Sequence, residues 1–130
     1  MSLLDWYLPE PTVACPVCGS VPEEWQGGNG PCALLVWQQG REEPIEQRVD
    51  DEVSMFESLR HSRLPDTFEF GGYDEAGHEL RVTGRTVDGV WIESVLTRVT
   101  EFFKARSGEH FHRVLWGKPD DRRPWLRSDR

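Results

Sequence analysis

The chain has 130 residues, 37% of them hydrophobic and 29% charged, and carries a net charge of −8 at pH 7. That length suits one domain that buries roughly two-thirds of its unfolded surface, so neither a metal nor a disulfide is a precondition for folding. The acidic balance argues against nucleic acid as a partner, no apolar run approaches the ~20 residues of a membrane span, and three cysteines with no secretory leader point to a cytoplasmic protein rather than a disulfide scaffold.

The charge is uneven. Residues 1–60 hold eleven acids against three bases, whereas residues 101–130 hold five acids against eight bases. Asp120, Asp121 and Asp129 interrupt that basic end, which makes it a solvated tail of mixed charge rather than a track for phosphates.

Residues 1–14 contain Pro9, Pro11 and the pair Trp6-Tyr7, and read as an extended arm whose aromatics dock on the body. Cys15-Pro16-Val17-Cys18-Gly19 follows, two thiols on one tight turn. The turn residues Gly27-Gly28-Asn29-Gly30 then predict a β-hairpin over 24–38. Its second strand, 33–37, is apolar on both faces and therefore buried on both. Val53, Phe56 and Leu59 predict a short helix with a capping box from Ser54 to Glu57, stopped by Pro65. Alternation in 67–70 and 79–83, with turn signals at 74–77 and 87–89, predicts a three-stranded meander over 67–93, in which Gly71-Gly72 marks a bulge or a close backbone approach. Beyond it, Val95, Leu96, Val99, Phe102 and Phe103 fall on one helical face, with Gly108 as the stop. β-Branched residues in the same stretch favour a strand instead. The reading adopted is a strand that turns into a helix near Ser94. A strand over 111–116 and a tail from 117 to 130 complete the chain. Trp25, Trp37 and Trp91 belong to the core, while Trp6, Trp116 and Trp125 lie towards the ends.

The cysteines carry the chemistry. A structural zinc ion takes four tetrahedral thiolate or imidazole ligands. Cys15 and Cys18 supply two from one loop. Cys32, across the expected hairpin, and His78, at the mouth of the 74–77 turn, complete a Cys3His set by position. Plainer readings stand beside it: Cys32 as a buried core thiol, the CxxC as a compact turn without metal, or a thioredoxin-type redox pair. That last reading lacks the helix that such a motif normally opens. His110 and His112 share one face of a strand and are the alternative catalytic pair, for metal-dependent hydrolysis. No nucleophile elbow, P-loop or dinucleotide fingerprint is present.

Cys15-Pro16-Val17-Cys18-Gly19, Trp25-Gln26-Gly27 and Leu34-Leu35-Val36-Trp37 together resemble the start of uncharacterised small bacterial proteins that begin with a CxxCG knuckle, an aromatic-Gln pair and a β-hairpin. The likeness covers about a fifth of the chain and implies a small β-rich protein. Small acidic bacterial proteins include antitoxins and immunity proteins. No functional residue carries over, and Ala76 and His78 stand where such relatives could supply a further cysteine.

The expectation is thus an α+β domain over 15–116, with a small antiparallel sheet made of a hairpin and a meander and one or two helices packed on it. Its expected function is non-enzymatic protein binding, with a basic protein as partner. A zinc-ribbon nucleic-acid binder is a further alternative that the charge disfavours.

Overall fold

The computed structural model describes residues 4–49 and 55–117. Eight strands form one sheet: β1 (Asp5–Leu8), β2 (Gln26–Gly27), β3 (Leu35–Gln38), β4 (Glu46–Gln47), β5 (Thr67–Tyr73), β6 (His78–Val87), β7 (Val90–Lys104) and β8 (His110–Gly117). One four-residue helix, α1 (Phe56–Leu59), lies between β4 and β5. The spatial order is β4-β3-β1-β2-β5-β6-β7-β8, antiparallel throughout except where β1 runs parallel to β3.

The meander forms as its sequence predicts. Phe68, Phe70 and Gly72 of β5 alternate inward, facing Gly84, Val82 and Leu80 of β6 in register. Asp88 and Gly89 both have positive φ (53° and 83°), the type I′ geometry that matches the twist of a two-residue hairpin. The Gly71-Gly72 pair marks a close approach: a Cβ on Gly72 would lie 2.6 Å from the carbonyl oxygen of Glu24.

The helix expected after Ser94 is absent, because residues 90–104 are one strand, paired with β6 over 90–101 and with β8 over 98–104. The misleading pattern has a physical origin. Register shifts opposite Arg85/Thr86 and Arg81/Val82 insert Ile92 and Thr97 as extra residues in β7. The positions facing the inward row of β6 therefore become Trp91, Ser94, Leu96 and Val99, so the bulges break the period of two that a strand otherwise shows, while Val95, Phe102 and Phe103 of the expected helical face are exposed. Gly108 sits in the turn between β7 and β8, where its N–H donates to the carbonyl of Ala105 (2.9 Å).

The 24–38 hairpin is also replaced. β2 and β3 do not pair; β1 lies between them, antiparallel to β2 and parallel to β3. The outcome, among the described residues, is a sheet-rich domain with one short helix rather than a small sheet carrying packed helices. α1 still contributes Phe56 and Leu59 to the edge of the core. Its N-cap is Met55, without a side-chain cap bond. The Val53 and Ser54 of the expected helix start lie outside the described residues, as do Trp125 and the rest of the expected 117–130 tail beyond Gly117, which itself ends β8. Among the described residues no helix is long and apolar enough to cross a membrane.

The sheet curls on itself. The N–H of Gly40, just after β3, donates to the carbonyl of Trp91 at the start of β7 (2.7 Å), and Gln39 bonds both Ser94 Oγ and the carbonyl of Ile92. The core fills this curl. Tyr7 stacks on Phe70 (centroids 5.0 Å apart), and the edge of Trp91 meets Phe68 at 5.3 Å. Trp25, Leu35, Val36 and Trp37 are buried with them, the last three as a strand covered on both faces requires.

Two predictions arise from this packing. The ring of Phe68 lies over Gly84, its register partner, so closely that a Cβ there would overlap the ring atoms. Gly84→Ala should therefore destabilise the fold by about 1–3 kcal/mol through overpacking. A urea midpoint equal to that of the parent would show that the ring can move aside. The second concerns Tyr7, whose phenol is pushed well above the ordinary tyrosine range by burial, with the Asp5 carboxylate adding to the effect. A raised pKa favours the neutral form in the folded state, so stability holds below pH ~10 and falls as pH rises beyond it, by up to about 1.4 kcal/mol per pH unit. In an alkaline titration the exposed Tyr73 should ionise while the protein is folded, and Tyr7 only as it unfolds. Coincident ionisation of both phenols in folded protein would refute this.

Candidate metal centre

The site lies where a loop from the N-terminal part meets the turn between β5 and β6. The loop over residues 9–25 links β1 to β2 and makes its own tight turn: the N–H of Gly19 (φ 81°) donates to the carbonyl of Cys15 at 2.7 Å, and the N–H of Cys15 to that of Ser20 at 2.9 Å. Glycine at 19 supplies the positive φ that aims both thiols the same way. The loop is held over the sheet at Gly72, whose missing side chain leaves room for Pro22 and the backbone of Glu24. Gly72 is two residues before Asp74, so this contact sets the knuckle above the turn.

The turn contributes the other two donors. Asp74 and His78 flank it as the pair beyond the Tyr73↔Glu79 register, tied by the N–H of Asp74 donating to the carbonyl of His78 (3.0 Å). His78 also continues the inward row of β6 with Leu80 and Val82. Asp74 Oδ1 accepts the backbone N–H groups of Ala76 and His78, each at 2.9 Å. That leaves Oδ2 facing Cys18 Sγ at 3.0 Å and His78 Nδ1 at 3.1 Å. Cys15 Sγ lies 3.7 Å from the same Nδ1. One donor atom from each of Cys15, Cys18, Asp74 and His78 lies within 4.8 Å of all the others, and three of the four residues are buried.

This arrangement suits a small tetrahedral cation. Ordinary zinc–sulfur, zinc–nitrogen and zinc–oxygen bonds at the tetrahedral angle put donor atoms about 3.3–3.8 Å apart; the donors here lie 3.0, 3.1 and 3.7 Å apart, with all four within 4.8 Å of one another, so small side-chain shifts would set them around one ion. The carboxylate is also prepared as a ligand, since Oδ1 is occupied by amides that fix its orientation and Oδ2 is turned inward, the supporting role that outer partners play at metal sites. Burial opposes the ionised form of Asp74, but the bond from Cys18 and the N–H of His78 outweigh it and hold the pKa down to about 2. Burial pushes the Cys15 thiol up, while the N–H groups of Cys18 and Val17 act the other way. A cation at the centre would offset that rise and favour the thiolates.

Of the four residues expected from sequence, the structure brings three together: Cys15, Cys18 and His78. Cys32 stands apart. Its thiol donates to the carbonyls of Gly28 (3.1 Å) and Gly30 (3.3 Å), and its N–H to Asp5 Oδ2 (3.2 Å). The reason is topological: β1 lies between β2 and β3, so the loop carrying Cys32 does not return to the knuckle. Asp74 takes the fourth place. Its sequence signal was the four-residue spacing to His78 across a turn, which makes the two cross-strand neighbours, but in sequence Asp74 reads only as a turn residue. His110 and His112 lie on β8 beside Lys104 and Phe102, the His112 ring 5.7 Å from that of Phe102, and neither belongs to the donor group.

Comparison with protein-family models, with curated proteins and with solved structures returned no match.

Proposed function

We propose that this chain is a non-enzymatic protein-binding domain in which one zinc ion, held by Cys15, Cys18, Asp74 and His78, staples the 9–25 loop to the turn between β5 and β6. The four-donor cluster, with its prepared carboxylate, carries the reading. Two soft thiolates and an imidazole suit zinc, whereas calcium and magnesium prefer oxygen donors throughout. With all four positions filled from the protein, the ion has no open site for substrate, which makes it structural rather than catalytic.

The partner in this reading is a basic protein, as for antitoxin-like or immunity-like proteins. The net charge of −8 supports that choice, since opposite charge speeds encounter and makes association sensitive to salt. Metal-dependent hydrolysis through His110 and His112 has weaker support, because the donor group contains neither residue.

Elemental analysis of protein purified without chelator should find about one zinc per chain. Chelation should then open the 9–25 loop to protease while the amide N–H groups of β5 and β6 keep their protection from hydrogen exchange. Protein free of transition metal that also takes up none on zinc titration would end the metal reading. Binding to basic proteins that is absent, or indifferent to salt, would end the partner reading.

A further inference from the structure

The two thiols of the metal site differ in access. Cys15 is 1% exposed, packed in the core cluster with Tyr7 and Trp25, whereas Cys18 is exposed at the rim. Both belong to the group whose donor atoms lie within 4.8 Å of one another, and both sit on one turn closed by the bond from the Gly19 N–H to the Cys15 carbonyl. Joining them therefore needs a local adjustment of that turn and no change in strand pairing. Cys32 is held by two carbonyls in the loop before β3, outside this group.

We infer that Cys15 and Cys18 form a thiol–disulfide switch, in which a small disulfide oxidises the pair and the site gives up its metal. The inference rests on the zinc reading above. The Cys18 thiolate, on the exposed side, attacks one sulfur of the small disulfide; its S–S bond breaks, one thiolate leaves, and a mixed disulfide forms at Cys18. The Cys15 thiolate then attacks the Cys18 sulfur, forms the internal disulfide and expels the second thiolate. Two electrons pass from the cysteine pair to the reagent, and the two departing thiolates take up protons from water. Asp74 and His78 remain as two donors where zinc requires four, so the ion leaves and the 9–25 loop loses its tie to the turn. A cell-borne disulfide or a shift in thiol poise would thereby be read out as a loosened loop next to the core.

The test uses zinc-loaded protein and its Cys32→Ser variant, each treated with oxidised glutathione. A chromogenic chelator reads zinc release, and peptide mapping locates the disulfide. The expected result is one zinc released per Cys15–Cys18 disulfide in both proteins, reversed by dithiothreitol with added zinc. Protein that takes up no zinc before treatment refutes the metal reading and this inference with it. Zinc that is bound but retained through the treatment overturns the switch alone. So does release accompanied only by a persistent mixed disulfide, or by a disulfide that involves Cys32.

Discussion

Replacing Cys15 with serine should strip the protein of zinc, and replacing Cys32 with serine should leave the metal content unchanged. Loss of an outer partner at a metal site weakens binding by about 10–100-fold, so loss of a thiolate that touches the ion should exceed ~100-fold. Cys18→Ser, His78→Ala and Asp74→Asn should weaken binding as well. For the last of these the loss follows from the direction of the side chain: Oδ1 is occupied by the N–H groups of Ala76 and His78, so the amide nitrogen of Asn would have to occupy the position of Oδ2 and present hydrogens to the ion. Stability should follow occupancy. A ligand at about a thousand times its dissociation constant stabilises the folded state by ~4 kcal/mol, which for a domain of this size raises Tm by roughly 15 °C. That rise should appear in the parent and in Cys32→Ser and vanish in Cys15→Ser. Cobalt substitution reports ligand identity directly, because thiolate-to-cobalt absorption should fall by about half when either Cys15 or Cys18 is removed. Full zinc retention in Cys15→Ser, or zinc loss in Cys32→Ser, would mean that the centre is not the one formed by the 15–18 turn and the 74–78 hairpin.

What the sequence made legible was local. The strands of β5 and β6 alternate cleanly, and Asp88-Gly89 is a turn whose chemistry names its geometry, so the meander could be read directly. Cys15, Cys18 and His78 were legible as candidate ligands because a knuckle and the mouth of a turn each hold donor side chains on short loops. Most of the rest depends on strand pairing that the local pattern does not specify. β1 has four residues and pairs in parallel with β3; nothing in Asp5-Trp6-Tyr7-Leu8 indicates that it will separate β2 from β3. Without that knowledge the Gly27–Gly30 turn looks like an ordinary hairpin, and Cys32 looks as though it returns to the knuckle. In β7 the bulges at Ile92 and Thr97 are set by pairing with β6 and break the alternation, and the exposed Val95, Phe102 and Phe103 complete a helix-like spacing with Leu96 and Val99. Asp74 was hidden differently, because turns favour Asp for its bonds to nearby backbone N–H groups, and here the same side chain makes those bonds with one oxygen and faces the thiols with the other.

Asp5→Ala should be among the most damaging single substitutions in this protein, at about 3–5 kcal/mol, because it leaves four donors without their acceptor and each buried group so orphaned costs roughly 1–3 kcal/mol before the loop relaxes. The carboxylate is fully buried and serves four donors. Oδ1 accepts the N–H groups of Ala33 (2.9 Å) and Leu35 (3.1 Å); Oδ2 accepts the N–H of Cys32 (3.2 Å) and the indole Nε1–H of Trp37 (3.1 Å). Those amides converge because the loop before β3 alternates in hand. Cys32 and Leu34 both have positive φ (60° and 62°), and successive N–H groups in such a conformation form a concave anion cradle. Non-glycine residues held there cost of order 1 kcal/mol or more each, so the loop keeps this shape only while the carboxylate fills it. Asp5 thus couples β1 to the entry of β3, the parallel pair on which the sheet order depends. Asp5→Asn separates charge and shape: with one acceptor oxygen in either orientation it leaves two of the four donors facing an NH2 group, for a loss of roughly 2–4 kcal/mol. The order expected from urea midpoints, at constant denaturant slope, is parent, then Asn, then Ala. Against a total stability of about 5–15 kcal/mol, the alanine variant would lose a large share of its fold. A shift worth less than about 1 kcal/mol in Asp5→Ala would show that water or a rearranged loop satisfies the four donors as well as the carboxylate does, and that the position of β1 is secured by its ladder and the Tyr7 packing alone.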